Sequence, residues 1–340
     1  MLVGVVALSS CRGGCRRDSA TDRTLTVQGR LALFPASARV VAGVDVGQLR
    51  ASPAAAKVQA LAVDSQTDKN TLAEFQRRTG FDPIKQITHL TVAFPEDSRA
   101  SGDFGLVLRA DHFDEARLVA YARDELQKKG DDLVANKRGP LTLWSSKRDP
   151  TVVGFFIDER TFALGAGGWG ARMADLAGKT NPGDSAVTNL ELVRLVERAA
   201  GTHAIWGAAL VPDETRRSLS AQPGLAEAGT ISTLSVAIDF GKGLEAALIA
   251  DMATADAARA LATKATSALR DAKRNPQVLM LGLGPYLGGV SARAADRTFE
   301  VRATLGPEAI DDLVTRLAAM VSLARAGSAP GFAPPPAPSP

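Results

Sequence analysis

The chain has 340 residues, 45% hydrophobic and 23% charged, a composition that excludes wholesale disorder and a length that holds two ordinary domains. Forty basic and 37 acidic residues are interspersed and leave a net charge of +3, so no basic stripe is available to bind nucleic acid. Aromatics make up only 5%, which leaves a core of Ala, Val and Leu and few stacking platforms for bases or sugars.

The chain opens MLVGVVALSSC, an apolar run from Leu2 to Leu8 followed by small residues and Cys11. This is the layout of a secretory apolar segment with its cleavage site, too short to span a bilayer as a helix. Leu8-Ser9-Ser10-Cys11 resembles the lipobox of bacterial lipoproteins. The resemblance implies that residues 1–10 are a signal peptide and that Cys11 is triacylated, more than one acyl chain being what makes a membrane anchor stable. No Lys or Arg precedes the apolar run, a departure that a start site further upstream would explain. Arg12, in place of Asp, points by similarity to enterobacterial lipoproteins to the outer membrane, facing the periplasm or the cell surface. Cys15 does not fit a lipobox, and the 325 residues after it hold no cysteine, hence no disulfide and no thiolate metal site. Residues 11–36, polar and Gly/Arg-rich at first, read as a lipidated tether.

The folded region, 37–326, is written twice, at 37–185 and 186–326. ARVVAGVDV at 38–46 has a counterpart in HAIWGAALV at 203–211, and ITHLTVAF at 87–94 in ISTLSVAI at 231–238. The strands GDFGLVLRA at 102–110 and GLEAALIAD at 243–251 follow, then a helix in each copy, with Asp111 and Thr254 as expected N-caps. Leu118, Ala122 and Leu126 share one face of the first helix, as Leu261, Ala265 and Leu269 do on the second. ERTFALGA at 159–166 matches DRTFEVRA at 296–303, and each copy ends in another helix; the segments 186–201 and 307–325 carry the helical apolar spacing, and Ile310, Leu313, Val314, Leu317 and Val321 are expected in the core. The first copy is longer by about twenty residues of helical material in 57–83. Strand, helix, hairpin, helix, two strands and helix, twice over, predict an α+β fold: two tandem units of antiparallel sheet plus helices, akin to ferredoxin-like units. The tail 327–340 is rich in Pro and Ala and is expected to be extended and unpacked. The layout with its lipobox resembles uncharacterised bacterial lipoproteins with duplicated periplasmic domains, a likeness that brings no catalytic residues.

Motifs for chemistry are sparse. Gly165-Ala-Gly167-Gly168-Trp169-Gly170 spells a nucleotide-binding GxGxxG, but its strand is fed by a hairpin rather than by a parallel crossover, so a simple glycine turn is the expectation. His89, His112 and His203 have no partner at metal spacing, and alternation puts His89 on the polar face of its strand, away from Leu90, Val92 and Phe94. Asp131-Asp132, Asp158-Glu159 and Asp311-Asp312 are sequence neighbours that point apart, which suits solvation rather than acid–base work. The second glycine cluster lies in VLMLGLGPYLGG, where Leu279, Leu281, Gly282, Gly284, Tyr286 and Leu287 read either as a buried short helix or as the wall of an apolar ligand site. No cofactor or metal is expected. The chain reads as a lipid-anchored envelope protein, non-enzymatic, binding a lipid, peptide or envelope-protein partner. The alternative is an envelope hydrolase with a dispersed site, which requires a histidine within reach of a serine or carboxylate in a concave pocket.

Overall fold

Alternating apolar and polar residues, broken by glycine-containing turns, place twelve strands side by side in one antiparallel sheet. The computed structural model describes residues 26–53, 66–96, 101–178, 183–201, 203–222, 224–241, 243–280, 282–312 and 315–316. The expected signal segment, Cys11, most of the expected tether, Leu281, Leu313, Val314, Leu317, Val321 and the Pro/Ala tail lie outside these residues.

The strands are β1 (Ala38–Asp45), β2 (Ile87–Pro95), β3 (Phe104–Ala110), β4 (Leu133–Arg138), β5 (Leu141–Ser146), β6 (Val153–Asp158), β7 (Thr161–Ala166), β8 (Ile205–Leu210), β9 (Ile231–Asp239), β10 (Leu244–Met252), β11 (Val290–Ala295) and β12 (Thr298–Leu305). Their order in the sheet is β11-β12-β10-β9-β8-β1-β2-β3-β7-β6-β5-β4. The halves meet where β1 pairs with β8. Val40 lies opposite Ala209, Ala42 opposite Gly207 and Val44 opposite Ile205, a register symmetric about the Ala42–Gly207 pair. Ala42 and Gly207 are also the equivalent positions of 38–46 and 203–211, so the seam has the geometry of a local two-fold axis.

Two expectations change here. In a ferredoxin-like unit the two strands that flank each helix run parallel with a third strand between them, whereas here β1 and β2, which flank the helix Gln66–Thr79, are adjacent and antiparallel, as are β8 and β9. The first half also carries four strands after its helix rather than two, because Gly139, at φ +56, turns residues 133–146 into the extra hairpin β4–β5.

The labelled helices are α1 (Val27–Leu31), α2 (Gln66–Thr79), α3 (Glu115–Lys128), α4 (Trp169–Ala177), α5 (Leu190–Ala200) and α6 (Ala255–Arg274). Thr254 caps α6 as expected, accepting from the Ala257 amide. In α3 the cap is Asp114 rather than Asp111. The Asp111 amide donates to Gln86 O and the Phe113 amide to Glu159 O, so residues 111–113 are held extended beside the sheet and the helix starts later.

Successive side chains alternate between the two faces of the sheet. One face carries the main core: Val41, Val107, Phe155 and Ala163 from the strands meet Phe34, Trp169 and Met173, and α5 adds Leu192, Leu195 and Val196 at helical spacing. Each large side chain buried here contributes roughly 1.5–3 kcal/mol. The core continues through Ala186, Trp206 and Ala208, so it runs across the 185/186 join without a break. At the seam Trp206 lies flat on Gly43, where a β-carbon would stand 2.3 Å from the indole.

Candidate ligand-binding site

On the opposite face the two halves differ. In the second half α6 lies down on the sheet because its contact residues are small: Ala258 and Ala262 are buried against Ala250 and Phe299, with Ala292, Ala294 and Val301 around them. In the first half α3 presents Leu118, Val119 and Tyr121 to strands that carry Phe156 and Phe162, and none of its residues is fully buried. Larger side chains on both surfaces hold the helix away from the sheet. The space between them is a cavity of about 450 Å³.

Its floor is Leu108 of β3, Gly154 and Phe156 of β6, and Phe162 and Leu164 of β7, with Trp144 and Leu133 at one side. Phe162 packs against the bare backbone of Gly154, where a β-carbon would come within 2.8 Å of the ring. The roof is α3 and, from α2 and the turn after it, Phe75 and Phe81. Five of the chain's 12 Phe, one of its 3 Trp and one of its 2 Tyr line this one cavity. The rings interlock: Phe75 meets Tyr121 edge-on at 5.0 Å, Phe81 lies 5.1 Å from Phe113, and Phe156 lies 5.0 Å from Phe162.

Polar contacts tie the roof in place. Arg78 of α2 binds Asp124 and Glu125 of α3 at 2.6 and 2.9 Å, and its guanidinium stands 4.7 Å from the Tyr121 ring. The Trp144 indole donates to Glu115 at 3.3 Å. At the rim Ser146 donates to Asp131, whose carboxyl is held below its ordinary pKa first by that hydroxyl and then by the amides of Asp132 and Arg148, against the opposing effect of desolvation.

The described residues among those expected to line a ligand site, Leu279, Gly282, Gly284, Tyr286 and Leu287, are not part of this cavity. Leu279, in the short helix Pro276–Met280, is more than half exposed, and Met280 beside it is 88% exposed. Tyr286 is buried instead, in the turn Gly284–Leu287, and donates to Asp312 at 2.5 Å. Gly282, at φ +67, sits against Arg316. Among the described residues of this stretch Tyr286 is turned inward and Leu279 and Leu283 outward, and none of them lines the cavity. The sequence signal for the aromatic cavity was the density of rings between Phe75 and Phe162, fed by the inserted segment that supplies Phe75 and Phe81.

The remaining motifs resolve locally. The Gly168 amide of the GxGxxG donates to Asp103 at 2.7 Å, so the chain's own carboxylate occupies that turn. His112 is exposed. His203 is held through Nδ1 by Asp239, which also accepts from the Ala204 amide at 3.1 Å, in a cleft of about 170 Å³. Ser235 lines the same cleft but stands four residues from Asp239 on the same strand face, about 13 Å along it. His89 corrects its expectation: the face away from Leu90 and Val92 is the one that carries the main core, with Thr91 and Ala93 buried beside it. Among the described residues no cluster of three or more His, Cys, Asp or Glu could hold a metal ion, and no helix is long and apolar enough to cross a membrane.

Among solved structures the chain is similar to TP0453 in two crystal forms. Form III aligns at 10% identity with a TM-score of 0.46, covering 85% of this chain and 97% of that one. Form I aligns at 11% identity with a TM-score of 0.42, covering 85% and 96%. No family model and no curated protein matches the chain.

Proposed function

We propose that this is a lipid-anchored cell-envelope protein, tethered through Cys11, whose folded body carries an apolar ligand or acyl chain between α3 and the sheet. The observation that carries the reading is the aromatic cavity of about 450 Å³, which falls within the range of small-molecule sites and is lined mostly by apolar side chains. Each methylene buried there gains about 0.8 kcal/mol, so eight of them offset much of the cost of association with about 6 kcal/mol. The two halves are copies of one antiparallel unit, one closed by alanines and one opened by aromatics, a division of labour between scaffold and site. The lipobox-like Leu8-Ser9-Ser10-Cys11 supports the anchor and Arg12 an outer-membrane destination. The body acts by binding rather than by catalysis.

The His203–Asp239 pair favours a second reading, hydrolysis in the smaller cleft. Nucleophilic catalysis needs the base to reach the attacking hydroxyl, and Ser235 lies too far along the strand from Asp239 to share its histidine in this conformation.

The test is mass spectrometry of full-length protein purified from a Gram-negative host. An acylated Cys11 with a stoichiometric apolar compound released from the body supports the proposal. An unmodified N-terminus removes the anchor, and a body that neither carries nor takes up fatty acid removes the ligand.

A further inference from the structure

The aromatic cavity runs along β6 between two unlike ends. Phe156 lies opposite Phe162, and Phe113 and Phe81 pack over them, which makes one end aromatic. Two residues back, Gly154 lies opposite Leu164 on one side and Trp144 on the other, and beyond it the segment 147–152 brings Asp149 to the lining. The apolar body of a ligand fits anywhere along this path. Its head group is decided by the polar atoms that the lining leaves free.

Most of those atoms are already engaged. The Ser146 hydroxyl donates to Asp131 and accepts from the amides of Arg148 and Asp149, which fills its one donor and two acceptor positions. The Trp144 indole donates to Glu115, and Ser145 alternates with Ser146, on the face of β5 that carries the buried Leu143. Asp149 accepts through Oδ1 from the Thr151 amide at 3.1 Å and from the Thr151 hydroxyl, while its Oδ2 accepts from none of the described residues. No Lys, Arg or His lines the cavity. The cations around it are held outside: Arg78 by Asp124 and Glu125, Lys147 by Asp132 at 3.7 Å, and Arg148 by the Lys129 carbonyl at 3.3 Å, with Lys129 itself exposed. Arg148 also offsets the charge of Asp131, so the uncompensated charge at this end is the Asp149 carboxylate.

We infer that the cavity selects an amphiphile whose head is a hydrogen-bond donor without negative charge, a hydroxyl or an ammonium, seated on Asp149 with its chain toward Phe156 and Phe162. The inference deepens the proposed function and rests on it. A carboxylate or phosphate head would face a like charge and find no free side-chain donor at this end. An ionised fatty acid therefore enters by its chain alone and is held less tightly.

The full chain with Cys11→Ser is loaded with the uncharged dye N-phenyl-1-naphthylamine at pH 7.5 and low ionic strength, and the dye is displaced by decylamine, monodecanoylglycerol or decanoate below their micellar concentrations. Amine and glyceride are expected to compete at least about fivefold more tightly than decanoate, the effect of one charge close to the head at a solvated rim. Asp149→Asn, which keeps an oxygen for Thr151, removes the amine's advantage and tightens decanoate about threefold, with the glyceride within about twofold of the parent. Asp132→Asn removes a charge from the neighbouring surface outside the cavity and moves each competitor by less than about twofold. Whichever of amine and glyceride is tighter in the parent names the head as cationic or neutral. Decanoate competing as tightly as the other two, selectivity unchanged in Asp149→Asn, or the same change in Asp132→Asn overturns the inference and leaves the apolar cavity standing. Failure of dye and competitors alike to bind, or binding that survives the cavity-filling Ala122→Trp, overturns the cavity reading and the inference with it.

Discussion

Gly43 and Gly207 sit diagonally across the seam on opposite faces of the sheet and offer a controlled test of how the halves are joined. A β-carbon at Gly43 would lie 2.3, 2.4 and 2.8 Å from three atoms of the Trp206 indole, and that indole is 5% exposed with the main core behind it. It can yield only by moving into packed neighbours, so Gly43→Ala is an overpacking substitution costing about 1–3 kcal/mol. At Gly207 the same added methyl would meet Ala42 Cβ at 3.8 Å, an ordinary contact. Gly207→Ala then acts mainly by restricting the unfolded chain and is neutral or stabilising by up to about 1 kcal/mol. At about 2 kcal/mol the Gly43 variant loses roughly 4–8 °C of Tm. Urea unfolding followed by tryptophan fluorescence and far-UV circular dichroism measures both variants. If Gly43→Ala stays within 0.5 kcal/mol of the parent, or Gly207→Ala costs as much as Gly43→Ala, the packing described at the seam is wrong.

Filling the cavity separates site from scaffold. Ala122→Trp is expected to abolish uptake of a fluorescent fatty acid with stability retained, whereas Ala262→Trp on the closely packed α6 costs about 1–3 kcal/mol, both read by probe titration and denaturant melts. Trp169→Ala, at a side chain 1% exposed in the main core, costs about 3–5 kcal/mol by the same melts. For His89, burial lowers the folded-state pKa below the ordinary 6.5, so the unfolded chain binds more protons between those two values. Its stabilising contribution is therefore fully present above pH 6.5 and declines as pH falls through the window down to the folded value. Melts of the parent and of His89→Gln in anion-poor buffer at pH 7.5 and 5.5 should show the larger acid loss in the parent; equal losses would remove the titration from His89.

Strand positions were legible because alternation is a local property, and the paired segments 38–46 with 203–211 and 87–94 with 231–238 became β1, β8, β2 and β9 in symmetric places. The cap of α6 was legible because Thr254 needs only the next turn of chain, while Asp111 misled because its amide is claimed by Gln86 across the hairpin. The glycine turn at 165–170 could be read from the hairpin that feeds it. The aromatic cavity could not be placed. Leu279 and Phe162 are both apolar residues in apolar runs, and which of them faces a cavity depends on what stands opposite.

By itself, then, the sequence determined an α+β chain of repeated antiparallel strands, with helix faces and turns set by spacing and by glycine. Tertiary structure alone decided that the strands join into one sheet, since pairing β1 with β8 depends on backbone groups that every residue carries alike. It also decided that alanines let α6 close while aromatics hold α3 open, and that His89, Arg30 and Arg109 meet on the core face. Those outcomes depend on side chains far apart in the chain occupying the same volume, a property that no local pattern carries.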